Sequence, residues 1–462
     1  MAKTYESYKD SGIAWIGEIP SEWKIVDAKR ILKNEKKVVG KESENYDRLA
    51  LTLNGVIKRS KDDSEGLQPE KFESYQILGI NDLVFKLIDL QNISTSRVGL
   101  SPYEGLVSPA YIVVKNRKGN DNKFYYYWYM NMYYTHVFNN IGGDGVRSAI
   151  NAQDLLSLKI PNISLDKQRA IASFLDKKCG EIDSLISLQE EMISELQAYK
   201  QSVITEAVTK GLDPNAKMNC CASREKNDAC ISSSETQPAI ERKFKDSGVE
   251  WIGEIPETWK YAKLKNIINY IESGVSVNAG LEEVGPNDIG VLKTSSVSKN
   301  VFIPYECKKV FENEINRVSC PVKANTIIVS RMNTPELVGA CGYVDRDYDN
   351  IFLPDRLWQV HFIESVYVKY YWYYLISKRT KSYFSSLSSG TSSSMQNISQ
   401  PQFQGAPIAV PPLSEQQAIA SYLDEKTSQI DSLISLKQQK IDELKSYKKS
   451  IIYEYVTGKK RV

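Results

Sequence analysis

Asp288, Glu306 and Lys308 supply the two carboxylates and the lysine of a nuclease-like trio. A chain that is 25% Asp, Glu, Lys and Arg produces such trios by accident, and no accompanying motif supports this one. There is no G-x-x-x-x-G-K-[ST] loop to cradle a phosphate. No Asn-Pro-Pro-aromatic or Asp-Pro-Pro-aromatic tetrapeptide occurs, so the active-site loop of an amino-methyltransferase is missing. Ile141 to Gly145 reads IGGDG but lacks the strand–GxGxxG–helix setting of a dinucleotide site. The two histidines, His136 and His361, define no Ser-His-Asp set. Cys179, Cys220, Cys221, Cys230, Cys307, Cys320 and Cys341 form no CxxC pair, so no zinc-ligand spacing exists. Neither a metal nor another cofactor is expected in this chain. The pattern argues against an enzyme and for a protein that binds.

Short basic loops indicate what it binds. The first half carries Lys58-Arg59-Ser60-Lys61, Thr95-Ser96-Arg97 and Gly145-Val146-Arg147-Ser148. The second carries Lys293-Thr294-Ser295-Ser296, Ser330-Arg331-Met332-Asn333-Thr334 and the stretch Gly390 to Gln396, which includes Ser393. Arg and Lys pair with guanine edges, Asn and Gln with adenine edges, and Ser/Thr hydroxyls hold phosphates. Each cluster alone also reads as an ordinary solvated loop. Their recurrence at comparable places in both halves favours DNA contact through Lys58, Arg59, Lys61, Ser96, Arg97, Arg147 and Ser148, and through Lys293, Thr294, Ser330, Arg331, Asn333, Ser393 and Gln396. The net charge of only +2 confines any such binding to these loops. The tyrosine-rich stretches at 123–138 and 369–384 could stack on unpaired bases. At helical spacing they read instead as core, with Tyr125, Trp128, Tyr371 and Tyr374 packing inward.

The elements that position these loops come in duplicate. YKDSGIAWIGEIPSEWK at 8–24 returns as FKDSGVEWIGEIPETWK at 244–260, with about 12 of 17 positions identical. Residues 165–209 return as 413–457 with about 26 of 45 identical. The segments between, 25–160 and 261–410, share far less. Two divergent bodies are thus attached to two nearly identical arms, which implies a shared job for the arms and different ligands for the bodies.

The arms read as long helices that start after Pro161 and after Pro411-Pro412. Ile182, Ile186, Ile193, Leu196, Val203 and Ala207 form a 4-3-4-3 seam completed by Gln189 and Lys200. Ile430, Ile434, Ile441, Leu444, Ile451 and Tyr455 repeat it, completed by Lys437 and Lys448. Such a seam must be covered. Pairing of the two arms is the economical solution, and residues 211–243 are long enough to return the chain antiparallel. The polar seam positions would fix register. Cys220, Cys221 and Cys230 fall in that linker as incidental thiols. Apolar runs at 82–88, 110–114, 325–330 and 355–362 predict strands, and each body is expected to hold one amphipathic helix.

The expected fold is therefore α/β (α+β) with an internal pseudo-two-fold repeat: two recognition domains, 1–163 and 244–412, joined by an antiparallel coiled coil of helices 164–210 and 413–459, with 211–243 as linker. No run of 18 apolar residues is present, and the opening MAKTYESYKDSG has no apolar signal core, so a cytoplasmic protein is expected.

The paired G-x-x-W-I-G-E-I-P-x-x-W openings, the divergent middles and the arm motif together resemble the specificity subunits of type I restriction-modification systems over essentially the whole chain. In the first arm the motif is Gln168, Ile171, Leu175, Asp176, Ile182, Asp183, Leu196, Tyr199 and Lys200. In the second it is Gln416, Gln417, Ile419, Leu423, Asp424, Ile430, Asp431, Leu444, Tyr447 and Lys448. The first copy departs at Pro161-Asn162-Ile163 and Asp166-Lys167, without changing polarity or helical pattern. EGLVSPAY at 104–111 and RMNTPELVG at 331–339 also look like family segments.

The resemblance implies two target-recognition domains, each reading one half of a split, asymmetric sequence in double-stranded DNA. It implies that the paired arms, through Ile182, Ile186, Ile193, Leu196, Ile430, Ile434, Ile441 and Leu444, hold the helices together and bind two modification (methyltransferase) subunits. Restriction (translocase/nuclease) subunits would join these. S-adenosylmethionine, ATP and Mg2+ would belong to the partners. The alternatives are a divergent nuclease or methyltransferase fused to a coiled coil, and a coiled-coil protein scaffold.

Overall fold

A computed structural model describes residues 4–63, 72–88, 90, 97–117, 119–141, 149–212, 242–392 and 395–462. The chain forms two compact units, one of Met1–Glu191 with Lys437–Val462, the other of Met192–Leu436. In the first unit, α1 (Asn122–Tyr134), α2 (Val137–Ile141) and α3 (Ala152–Ser157) precede α4 (Leu165–Lys210), which continues into the second unit. The second unit adds α5 (Val368–Ile376), α6 (Lys378–Leu387) and α7 (Gln400–Gln404), and α8 (Leu413–Val456) begins there and ends in the first unit. Each body therefore holds three helices among the described residues, where one was expected. Short Gly- and Ser-rich stretches after the tyrosine helix hid the additional turns.

The two bodies share a topology. The first has sheets ordered Gly55–Arg59, Arg48–Thr52, Gly105–Val107, Gln76–Leu78 and Leu32–Asn34, Ile112–Asn116, Leu83–Phe85, Val98–Leu100. The second has Ile268–Ser273, Leu357–Phe362, Thr326–Ser330, Cys341–Val344 and Cys307–Lys309, Gly290–Leu292, Tyr348–Phe352, Pro321–Val322. One parallel pair recurs, Leu106 opposite Arg48 and Gly290 opposite Ile351, within otherwise antiparallel ladders. The start and end of each body are tied by a two-stranded ladder, Lys24–Asp27 with Lys159–Asn162 and Lys260–Lys263 with Pro407–Val410. Each body is thus closed before its arm departs.

The arms are uninterrupted helices of 46 and 44 residues, roughly 65–70 Å each at 1.5 Å per residue. Gly211 and Gly458 end them with φ of +75° and +74°, the left-handed cap that only glycine adopts without strain. Every seam position named above is buried or half-buried, whereas most intervening positions are exposed. Within the first unit Asp183 meets Lys448, Gln189 meets Lys437 and Phe174 stacks near Tyr455, so the helices run antiparallel.

The polar seam residues have definite partners. Lys448 donates to both Asp183 oxygens at 2.7 Å in the first unit, and Lys200 donates to both Asp431 oxygens at 2.7 Å in the second. Lys200 and Lys448 are equivalent in the repeat, as are Asp183 and Asp431. Each unit therefore holds one lysine and one aspartate taken from opposite arms. These pairs are half exposed and add modestly to stability. Their reciprocity specifies the antiparallel register.

The arm motif also anchors the tyrosine helices. The buried Gln168 accepts the Asp121 N–H at 2.7 Å and donates to the Ile163 carbonyl; Gln416 does the same with the Tyr367 N–H at 2.8 Å and Pro411. Asp176 takes Lys123 and the Tyr127 hydroxyl, and Asp424 takes Lys369 and the Tyr373 hydroxyl. Tyr125, Trp128, Tyr371 and Tyr374 are fully buried, as their spacing predicted.

Burial raises the phenols of Tyr125, Tyr129, Tyr371 and Tyr374 well above their ordinary 10.0. Below pH 10 these groups are neutral in both states and their burial contributes in full. Above it the unfolded chain loses protons that the folded chain keeps, so stability falls. We expect urea midpoints to be flat to about pH 9.5 and to drop steeply between pH 10 and 11, with the buried tyrosines adding their absorbance at 295 nm as a further step that coincides with unfolding. Absence of any further rise at 295 nm on unfolding at about pH 11 would contradict this burial.

The repeated hairpins cap the arms. Tyr8–Asp10 and Glu18–Pro20 sit on the end of α8, where the Tyr8 hydroxyl donates to the Lys459 carbonyl at 3.3 Å and Tyr453 donates to Ile16. The hairpin of Phe244–Asp246 and Glu254–Pro256 gives Ile252 and Ile255 to the core closed by Ile204, Ala207 and Val208 of α4. There Arg242 donates to the Lys210 carbonyl and pairs with Glu415, which also accepts Trp259 Nε1 at 2.8 Å. Two like hairpins serve two like helix ends.

Candidate nucleic-acid interface

In the second unit two of the basic and polar loops converge. The strand Met332–Asn333 pairs with Met395–Asn397, which pairs in turn with Ser389–Ser392, forming a three-stranded ribbon outside the two main sheets. Asn333 lies directly opposite Gln396. Their separation of 63 residues in sequence conceals this pairing. Gly390 is required for it, because a Cβ there would stand 2.1 Å from the Met395 carbonyl oxygen. Asn333 Oδ1 accepts the Thr334 N–H at 2.9 Å, and its Nδ2 faces Ser330 Oγ at 3.4 Å. Arg331 Nε donates to the Asp355 carbonyl at 2.8 Å, which anchors the strand. Ser330 is fully buried and supports the loop rather than presenting its hydroxyl. Ser393 lies outside the described residues.

Lys293 and Thr294 occupy another place, at the end of the strand Gly290–Leu292. Lys293 pairs with Glu306 at 3.7 Å, and Ser295 donates to the same carboxylate at 2.7 Å. These contacts hold the Glu306 carboxyl below its usual range. Asp288 is held low by the Gly285 N–H and by Lys309. Asp288 precedes the Gly290–Leu292 strand and Glu306 pairs beyond its far end, so Asp288, Glu306 and Lys308 do not converge on one centre.

In the first unit Lys58 is exposed and bonded to Asp47 at 2.6 Å, with its ammonium 5.3 Å from the Tyr103 ring centroid. The Asp47 bond raises the lysine pKa. Arg59 pairs with Asp63 at 3.8 Å, and Lys61 donates to the Ser43 carbonyl at 2.9 Å. This cluster has carboxylate neighbours that a phosphate would have to displace. Arg97 departs from expectation: it is buried, and its guanidinium donates to the Ile88 carbonyl at 2.9 Å and the Lys86 carbonyl at 3.4 Å. As placed, it fastens a loop instead of facing a ligand, because a flanking serine and threonine do not make a position exposed. Ser96, Arg147 and Ser148 lie outside the described residues, as do residues 213–241 of the linker with Cys220, Cys221 and Cys230.

Two features escaped the sequence reading. A recess of about 410 Å³ is lined by Trp251, Lys378, Arg379, Ser382, Tyr383 and Ser386. Its signal was the i, i+4 spacing of Ser382 and Ser386 within a stretch, 365–414, that contains no Asp or Glu. The second feature lies on the arms. Leu185 (47% exposed), Leu188 (49%) and Tyr447 (57%) belong to the first unit; Tyr199 (58%), Leu433 (48%) and Leu436 (63%) belong to the second. They are equivalent residues, so each unit presents the same two leucines from one arm and the same tyrosine from the other. Identity at exposed apolar positions outside the seam was the available signal.

The sequence profile of the type I restriction modification DNA specificity domain matches residues 20–198 and 256–446. The chain belongs to this family of DNA-sequence-specificity proteins. It is 24% identical over 97% of its length to a putative type I restriction enzyme MjaX specificity subunit of Methanocaldococcus jannaschii, covering 96% of that protein. It is 24% identical to the MjaVIII specificity subunit of the same organism over 78% of this chain and 75% of that one. It is 28% identical to the EcoEI specificity subunit of Escherichia coli over 40% of this chain, a match that spans 32% of the latter protein. A chain solved in a structural study of complex assembly and conformational transition of the type I R-M system has the same fold, with a TM-score of 0.63 and 14% identity over 95% of this chain and 98% of that one. Among the described residues no helix is long and apolar enough to cross a membrane.

Proposed function

We propose that the chain is the non-catalytic reader of a bipartite, asymmetric duplex target, working in the cytoplasm and directing methylation and restriction by partner subunits. The observation that carries this is the pairing of two bodies of one topology and divergent sequence with arms that interlock reciprocally. A dimer of identical readers demands a palindrome. A duplicated and diverged chain escapes that demand and reads two different half-sites. The exposed Leu-Leu-Tyr patch occurs once per unit, which supports two copies of one partner, the modification subunit. Large apolar side chains left exposed at equivalent places in both units mark a protein contact. Restriction subunits would assemble on that complex. S-adenosylmethionine, ATP and Mg2+ would be bound by the partners and not by this chain.

Exchanging residues 25–160 for those of another such subunit, and mapping the methylated sequence made by the assembled complex, tests the proposal. One half of the motif is expected to change while the other is retained. A change in both halves would mean that the bodies do not read independently. Absence of salt-dependent binding to duplex DNA would instead favour a protein scaffold.

A further inference from the structure

The ribbon of the second unit carries an amide whose hydrogen-bonding capacity can be counted. An asparagine side chain offers two acceptor lone pairs and two donor hydrogens. Asn333 gives one lone pair to the Thr334 N–H at 2.9 Å and directs one hydrogen to Ser330 Oγ at 3.4 Å. One acceptor site and one donor hydrogen remain on a half-buried side chain whose orientation the Thr334 N–H sets. The major-groove edge of adenine offers the complementary pair, the N6 donor and the N7 acceptor. We infer that Asn333 reads an adenine in the major groove, on a ribbon flanked by a phosphate-holding face of α6; this rests on the DNA-specificity reading above.

The surroundings fit that use. The hairpin of Ser389–Ser392 and Met395–Asn397 is a two-stranded ribbon of the size the major groove admits, and Met332–Asn333 pairs along it. The close approach of Gly390 to the Met395 carbonyl and the anchoring of Arg331 on Asp355 hold the ribbon in one register. Gln396, directly across from Asn333, places a second amide on the same face. α6 leads straight into the ribbon strand Ser389–Ser392. Its outer face carries Lys378, Ser382 and Ser386 along the recess walled by Trp251 and Tyr383, whose rings stack at 5.0 Å. Hydroxyls and an exposed ammonium in an acid-free stretch of 50 residues suit a phosphate backbone.

The test uses the full chain assembled with its modification subunits and a library of duplexes randomised across the wild-type motif. Asn333→Asp keeps the oxygen that accepts the Thr334 N–H but removes the donor. Preference for adenine should fall about 10–100-fold at one base pair, located in the half of the motif that survives exchange of residues 25–160. Asn333→Ala in the same assay should lose the same preference, and unchanged thermal midpoints would exclude unfolding as the cause. Lys378→Ala should weaken all sequences alike and lower the salt slope by about 0.9. Adenine preference that persists in both Asn333 variants, or a weakening by those two variants that is uniform across sequences, would overturn the inference. A wild-type complex with no sequence preference would overturn the specificity reading itself.

Discussion

A chain ending at Leu212 is expected to form a homodimer and to read a palindrome. The reason lies in the reciprocal arm contacts. Each unit needs an aspartate from one arm and a lysine from the other, and α4 alone contains both, Asp183 and Lys200. Two copies of α4 would therefore recreate both ion pairs in antiparallel register. The core of the first unit also takes Ile451, Ile452, Tyr455 and Val456 from α8. Their equivalents in α4 are Val203, Ile204, Ala207 and Val208, three of which are buried in the corresponding core of the second unit. Ile451 to Val203 removes one methylene, and the exchange of Tyr455 for Ala207 is the larger loss. It removes the ring whose centroid lies 4.4 Å from that of Phe174, a loss on the order of 3 kcal/mol at each of the two sites. The half-chain dimer should thus be weak, and Ala207→Tyr should tighten it. Light scattering of the Met1–Leu212 chain should give a dimer mass that persists to lower concentration in the variant. Its duplex target should be two inverted copies of the half-site read by the first unit. A monomeric half-chain, or one that prefers the original asymmetric target, would show that the two arms are not interchangeable.

Substituting Leu433→Asp with Leu436→Asp should remove one of two partner copies and leave the other. Both leucines are about half exposed or more, so the change should cost the isolated chain little. At an interface, burying a carboxylate where an apolar anchor sat weakens binding by about 100–1,000-fold. The equivalent patch of Leu185, Leu188 and Tyr447 is untouched and should keep its partner. Native mass spectrometry of the chain with modification subunits should shift from two copies to one. Retention of two copies would move the partner contact elsewhere on the chain.

The repeats made much of the architecture legible before any coordinates. The seam at Ile182, Ile186, Ile193 and Leu196, and its equivalent in the second arm, emerged from spacing because a 3.5-residue period has one structural outcome. The strands at 325–330 and 355–362 and the burial of the tyrosine helices were legible for similar local reasons. The placement of the basic and polar loop residues was not. Arg97 and Asn333 both sit in short polar loops with a basic or amide side chain, yet one is sealed under backbone carbonyls and the other lies on an accessible ribbon. Local composition is the same in the two cases; which side of the loop faces outward depends on strands far away in the chain.

Periodicity and duplication established the two-body plan, the paired helices and the family, because those features repeat at fixed intervals along the chain. The composition of the units came only from the folded molecule: each is completed by the far end of the opposite arm, so neither half of the sequence contains a whole unit. The same holds for the placement of the Asn333 amide, set by the pairing of residues 333 and 396. Spacing records contacts along one element, whereas a contact between distant elements is decided by burial and hydrogen bonding that all of them satisfy together.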